Sequence, residues 1–301
     1  MTPAPPLRPA RLSRLLGLAL LWGSNFLWIK IALRGFDPVQ VVFVRLTLGA
    51  LVLASVVVVR RERMPRDLAA WRHLAVAALL ACVLPYLLFA IAEQHVDSSI
   101  AGLLNATTPL WTAVTALAVG LESRGGPLRI AGIAIGFVGA LVIFEPWHHG
   151  SQVMSLGGLA CLLAAACYGI SFVYMARNLR RDDLSPLALS AGQLALSAVF
   201  SAAALPVLGR HAPHFRVDAA LAALTLGALG TGLAYLLNYR LICESGASGT
   251  AVVTYLLPIV AVVLGAVVLG ETLTLTEGIG AAVVLAGVAL TRLKARPGSV
   301  A

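Results

Sequence analysis

Residues 86–93 read YLLFAIAE, and residues 235–244 read YLLNYRLICE. Both open on Tyr-Leu-Leu, and the residues downstream of each keep the same spacing. From Tyr86 to Pro109 is 23 residues, as from Tyr235 to Pro258, and from Pro109 to Glu122 is 13 residues, as from Pro258 to Glu271. Each Glu is followed by an apolar stretch with two glycines seven apart, Gly132 and Gly139 in the first half, Gly280 and Gly287 in the second. Upstream, Trp22-Gly23 corresponds to Tyr168-Gly169, Phe26 to Phe172 and Trp28 to Tyr174. Landmarks recurring in one order at matched spacing make the chain two copies of one unit.

Composition says what kind of unit it is. The 301 residues are 59% hydrophobic with a mean hydropathy of +0.91 and only 12% charged, whereas a soluble domain carries about 25% charge. A membrane-spanning helix needs about 20 mostly apolar residues. Such stretches occur at 12–33, 38–59, 72–94, 98–120, 127–144, 155–176, 186–208, 218–241, 246–269 and 276–292. The predicted fold is therefore an all-α integral membrane protein of ten transmembrane helices, arranged as two five-helix repeats over 12–144 and 155–292. Tails 1–11 and 293–301 flank them, and an outer loop at 145–154 joins them. Five is an odd number, so the second copy enters the membrane from the opposite side. Inverted repeats of this kind build secondary transporters, because two similar halves can exchange conformations and open a central site to each side in turn.

The net charge of +9 would suit nucleic acid only if basic residues gathered on one soluble face or groove. They do not. With a cytoplasmic N-terminus, 17 of the 22 Lys and Arg fall in cytoplasmic segments, and only Arg34, Arg210 and Arg216 lie outside. Lys30 and Arg45 are inside spans. This is the positive-inside bias, and it places both termini in the cytoplasm, with the chain in a bacterial cytoplasmic membrane. The N-terminal apolar run lacks a small-residue cleavage site before Lys30 and reads as the first span, not as a cleavable signal. Cys82, Cys161, Cys167 and Cys243 all fall in spans without CxxC or zinc-ligand spacing, which makes them packing residues. His148-His149 and the His211, His214, Asp218 group lack a fourth ligand or a metal motif. No metal or cofactor is expected.

LLWGSNFLWIK (20–30), LLNATTPLW (103–111), YLLPIVAVV (255–263) and GAAVVLAGVAL (280–290) resemble the EamA-type family of the drug/metabolite transporter superfamily. The likeness runs from about Leu12 to Arg292. It implies ten helices in two inverted repeats, a central cavity, and export or exchange of small metabolites such as amino acids or their derivatives. One position departs from the duplication, since the counterpart of Lys30 is Ala176.

Polar groups inside spans are the candidate site. Trp22 and Asn25 share a helix face near the middle of the first span, and Tyr168 and Ser171 repeat those positions in the sixth. Asn105, Thr108, Thr112 and Thr115 form one face of the fourth span; Thr231, Tyr235 and Asn238 form one face of the eighth, where the third has Cys82, Tyr86 and Phe89. Hydrogen bonding between helices is the bland account of such residues. The functional account is a midplane substrate pocket of Trp22, Asn25, Asn105, Thr108, Thr112, Tyr168, Tyr235 and Asn238, mixing aromatic surface with a few fixed polar groups. Lys30 either snorkels to the headgroups or contacts substrate or a gate. Arg45, too deep to snorkel, needs acceptors: helix-end carbonyls or Asp37 as a tether, or a substrate anion. Pro109 and Pro258 each free a backbone carbonyl and permit a kink. Glu122 and Glu271 are expected to meet the amide dipole of the next helix in each repeat.

The leading function is thus transport of a small amphiphile, and the chain is expected not to be an enzyme. The alternative, a membrane enzyme acting on a lipid-like substrate, requires a constellation of acid, base or metal groups, and Asp182-Asp183 stands without a second acidic cluster. Without a GxxxxGK[ST] loop, this chain alone does not drive transport with ATP. Proton-driven antiporters commonly place a carboxylate in mid-membrane; here the nearest is Glu93 at a span's outer end, which favours facilitated diffusion or exchange. The expected partners are a small-molecule substrate and the lipid bilayer, with a single chain as the functional unit and an oligomer left open. The charge asymmetry predicts that single cysteines placed at His149 and Arg63 in a Cys-free background label oppositely. An impermeant thiol reagent outside the cell should reach position 149 and not 63; the reverse pattern contradicts the topology.

Overall fold

The computed structural model describes residues 9–120, 127–144, 156–179, 184–209, 212–250 and 253–292, and the regular elements among them are helical. The segments are α1 Leu12–Ala32, α2 Pro38–Arg60, α3 Leu68–Ala92, α4 Ser98–Ala118, α5 Pro127–Phe144, α6 Leu156–Asn178, α7 Pro186–Leu208, α8 Val217–Glu244, α9 Val253–Leu264 and α10 Leu275–Arg292. Among the described residues, the seven segments α1–α4 and α6–α8 are each long and apolar enough to cross a membrane. The apolar stretches of the others are shorter: Ile130–Gly139, Leu256–Leu269 and Leu275–Leu290. Among the described residues, seven crossings are supported by length and composition; the sequence predicts ten.

Helix starts are written locally. Pro38 occupies the first turn of α2 behind an extended Asp37, whose backbone N–H donates to Gln40 Oε1 at 3.0 Å. At α7, Pro186 comes after an extended Ser185, whose Oγ accepts from the Ala188 N–H at 3.1 Å. Both are the cap-then-proline start that satisfies first-turn amides. They fall at equivalent places in the two repeats.

The surface is apolar where a soluble protein's would be polar. Val59 is 82% exposed and Leu156 83%, with Leu51, Val199 and Val267 also turned outward. Apolar surface on this scale belongs against another apolar phase, here lipid. Inside, small residues bring backbones together, as membrane helices require. A Cβ added to Gly139 would lie 2.6 Å from Val284 N and 2.8 Å from Gly280 O, and one added to Gly287 would collide with the Gly136 backbone. The glycines singled out in the sequence thus seat α5 against α10.

Packing repeats as the sequence does. α1 packs on α8 and α9, as α6 packs on α3 and α4; α2 packs on α8, as α7 packs on α3. The pairs α2 with α7, α4 with α9 and α5 with α10 complete the set. Exchanging each helix for the one five places along leaves this pattern unchanged. The dominant contacts run between the repeats, so the core belongs to both halves together.

Two π-helical turns sit at equivalent positions, Leu79–Val83 in α3 and Ala228–Leu233 in α8. In α3 the turn ends two residues before Pro85, which has no N–H to donate back; in α8 it holds Gly230 and Gly232. Such turns re-aim side chains and gather at functional sites. The two kink prolines behave differently. α4 breaks at Ala106-Thr107, just ahead of Pro109, whereas the helix of α9 runs on through Pro258. Pro258 sits inside the helix Val253–Leu264 without ending it.

Candidate functional site

Arg45 lies two turns into α2, on the face toward the other repeat, and is 5% exposed. Its Nε donates to Thr231 Oγ1 at 2.9 Å. Its Nη2 donates to Asn25 Oδ1 at 2.9 Å, in the amide orientation that also lets Asn25 Nδ2 donate to Leu21 O at 3.1 Å. The guanidinium carbon stands 3.6 Å from the centroid of the Tyr86 ring, a cation–π arrangement. α1, α3 and α8 thus converge on a residue of α2. The sequence expectation of Asp37 or helix-end carbonyls as its partners is corrected: the π turn carries Thr231 to it, and Thr231 Oγ1 in turn donates to Leu226 O, five residues back, at 3.0 Å. Among the described residues, no carboxylate pairs with Arg45.

The other repeat makes the same contact with different chemistry. Gln193 stands seven residues after Pro186, as Arg45 stands seven after Pro38. Its Nε2 donates to Cys82 Sγ at 3.2 Å, and Cys82 occupies the π turn of α3 as Thr231 occupies that of α8. Tyr235 OH lies 3.6 Å from Cys82 Sγ. The geometry is two-fold; the charge is on one side.

Aromatic rings line the surroundings. Trp22 meets Tyr235 edge-on at 6.3 Å, and Tyr86 meets Tyr168 edge-on at 6.5 Å. Tyr168 is stacked with Phe89 at 6.2 Å and Phe172 at 6.3 Å. Tyr168 and Tyr235 are partly buried.

Of the predicted pocket, the structure gathers Trp22, Asn25, Tyr168 and Tyr235 around Arg45. Asn105, Thr108 and Thr112 bond along α4 instead: Thr108 Oγ1 donates to Asn105 Oδ1 at 3.2 Å and Thr112 Oγ1 to Thr108 O at 2.9 Å. Asn238 is partly exposed and makes no side-chain hydrogen bond among the described residues. Lys30 meets backbone carbonyls. Its Nζ donates to Glu93 O at 2.8 Å and Val96 O at 2.7 Å, tying α1 to the end of α3, where carbonyls are open and the helix dipole favours a cation. Glu93 is 1% exposed, and neither carboxyl oxygen has a hydrogen-bond partner among the described residues. Cys82, Tyr86 and Gln193 are not marked out by the sequence. The available signal is register: Cys82 and Tyr86 are the repeat counterparts of Thr231 and Tyr235.

At the end of α9, Glu271 departs from expectation. It reaches across to α4 of the other repeat, accepting from the N–H groups of Ser98 at 2.8 Å and Ser99 at 2.9 Å and from both serine hydroxyls. The next helix, α10, has its own cap: Glu277 Oε2 accepts from Thr274 N at 2.8 Å, which leaves Glu271 free for the larger dipole-and-serine site. Glu122 and Trp147 lie outside the described residues. A separate surface cleft of about 280 Å³, lined by Ala69, Arg72, His73, Val76 and Tyr174, contains none of the candidate residues.

A helical multi-pass membrane protein whose two halves share one polar, aromatic centre is the architecture of a membrane transporter. The chain belongs to the EamA-like transporter family, whose model matches residues 12–145 and 155–293, one match per repeat. It is 28% identical to "Uncharacterized transporter YdfC" of Bacillus subtilis over 91% of this chain and 88% of that one. It is 32% identical to "Uncharacterized protein PA1977" of Pseudomonas aeruginosa over 90% of each. It is 26% identical to "Uncharacterized inner membrane transporter YedA" of Escherichia coli over 93% of this chain and 89% of that one. A solved crystal structure covers 96% of this chain and 99% of its own at a TM-score of 0.66 and 20% identity, which shows a shared fold.

The Glu271 latch gives a pH dependence. Burial raises its carboxyl pKa, but the hydrogen bonds from Ser99 and Ser98 outweigh this and leave it below the ordinary value of 4.5. A depressed pKa contributes stability above the ordinary value and loses it as pH falls through the folded value. Glu271→Gln should therefore unfold at lower temperature than the parent at neutral pH, with a gap that closes on acidification below 4.5. Tryptophan-fluorescence melting in detergent checks this; a gap that widens in acid contradicts it.

Proposed function

We propose that this chain is a secondary transporter that exports or exchanges a small amphiphilic metabolite, such as an amino acid or a derivative, across a bacterial cytoplasmic membrane. The observation that carries the proposal is the shared centre, where side chains of both repeats meet across Arg45, Thr231, Asn25, Trp22 and Tyr235. A site built from two halves changes shape when the halves rock, and this is what alternating access requires. In this proposal ten spans form two inverted repeats with both termini cytoplasmic, and flexing is placed at Pro109, where α4 breaks, and at Pro258, within the unbroken helix of α9. The relative named as an inner membrane transporter supports the location. The transporter relatives also favour transport over the alternative of a membrane enzyme acting on a lipid-like substrate.

Substrate rests among Trp22, Asn25, Tyr168, Tyr235 and Asn238, with Asn105, Thr108 and Thr112 of α4 on its far side. Aromatic faces take its apolar body and the amides its polar end. The test is uptake of a metabolite panel by proteoliposomes, with and without a pH gradient. For a substrate so identified, Asn238→Ala and Asn105→Ala should each weaken binding by about 1–3 kcal/mol, without loss of folded protein. Trp147→Phe, in the predicted outer loop, should change little. Undiminished affinity in both Asn variants contradicts the pocket, and no flux of any panel member contradicts the transport function.

A further inference from the structure

We propose that Arg45 is the docking group for the carboxylate of the transported molecule, so that the substrate class is a small acid or zwitterion bearing one carboxylate. The inference rests on the transport function above and adds to it the chemistry of one end of the substrate.

A buried guanidinium is costly unless an anion or several acceptors compensate it. Arg45 has two hydrogen bonds, to Thr231 Oγ1 and Asn25 Oδ1, and the face of Tyr86. Each of these partners is neutral. A guanidinium carries five N–H donors; two are used in these hydrogen bonds, and the further contact is with the Tyr86 side chain. Glu93, a buried carboxyl of the same region, forms no ion pair with it. The positive charge is left to be met from outside the protein, near Tyr168 and Tyr235, which are only partly buried.

The alternative is that Arg45 merely ties α2 to α8. The second repeat tests this within the same molecule. Gln193, at the equivalent position of α7, ties it to the equivalent π turn of α3 through Cys82. A neutral amide is therefore sufficient for that contact in this fold. The tie does not explain the charge, and the charge is what distinguishes the two sides of the centre. A substrate with one anionic end and one different end fits an asymmetric centre of this kind.

A single cation also limits the anion. Lys30, near the end of α1, has its ammonium occupied by Glu93 O and Val96 O. A phosphate monoester, doubly charged near neutral pH, would bring an uncompensated negative charge into the interior. A carboxylate brings one charge and two oxygens, which match the parallel N–H groups of a guanidinium.

The experiment uses the full chain, purified and reconstituted, with matched probes: L-amino acids, their C-terminal amides, their N-acetyl derivatives and a set of phosphate monoesters. Binding is read by tryptophan fluorescence and thermal shift, and flux by uptake. The parent should bind at least one free acid about tenfold or more tightly than its amide, and N-acetylation should preserve that preference. Arg45→Gln installs the side chain that the other repeat uses. It should remain folded with a melting temperature near the parent's, and it should bind acid and amide alike. Arg45→Lys should keep part of the preference. The proposal is overturned if Arg45→Gln discriminates acid from amide as the parent does, if the parent favours amides or phosphate esters, or if it binds no free acid. Where Arg45→Gln fails to fold, the acid-to-amide ratio in Arg45→Lys and in the parent decides alone: an unchanged ratio near one in both overturns it. Binding with discrimination but without flux would sink the transport function and leave the carboxylate site standing, so the two failures are distinguishable.

Discussion

A positive charge held in the interior of a membrane protein constrains everything near it. Burying an ion without compensation costs several kcal/mol even after the protein relaxes, so groups that stabilise Arg45 must be in place whenever the chain is folded. They come from three other helices: Asn25 on α1, Tyr86 on α3 and Thr231 on α8. Two of those helices belong to the same repeat as Arg45 and one to the other. The charge thereby sets how the halves meet at the centre, and it does so through neutral dipoles and a ring face that leave its sign unbalanced.

The surrounding scaffold makes this possible through near two-fold packing. Because α1 sits on α8 and α9 as α6 sits on α3 and α4, each side of the centre can carry its own chemistry on a common frame. Equivalent π turns present Cys82 to Gln193 and Thr231 to Arg45. The glycine seam between α5 and α10 brings backbones into contact at the periphery, and Glu271 bridges the repeats at one end through Ser98 and Ser99. Gly265 belongs to that bridge, since a Cβ there would collide with the Glu271 carboxylate and the Ser99 hydroxyl.

Much of the fold is legible in the sequence because duplication and apolar run length are properties of the chain itself. The repeat, the helix starts at Pro38 and Pro186, and the glycine packing all derive from local spacing. Trp22, Asn25, Tyr168 and Tyr235, on faces marked as polar in the sequence, lie near one another through the contacts of Arg45, Tyr86 and Tyr235. What spacing does not carry is the partner across the helix interface. Arg45 is legible as a buried charge, but its acceptors depend on a π turn that shifts Thr231 around α8. Lys30 and Glu271 satisfy helix ends that only the packing brings near, the end of α3 for one and the start of α4 for the other. The prolines show the same limit: identical spacing gives a break before Pro109 and a continuous helix through Pro258.

The central claim, that the halves are joined through the Arg45–Thr231 contact, is tested most directly by a double-mutant cycle in thermal or denaturant unfolding. The four proteins are the parent, Arg45→Met, Thr231→Val and the double variant. A hydrogen bond from a buried charged donor predicts a coupling energy of about 1.5–3 kcal/mol between the two positions. Strict additivity, with the two losses summing to that of the double variant, would contradict it.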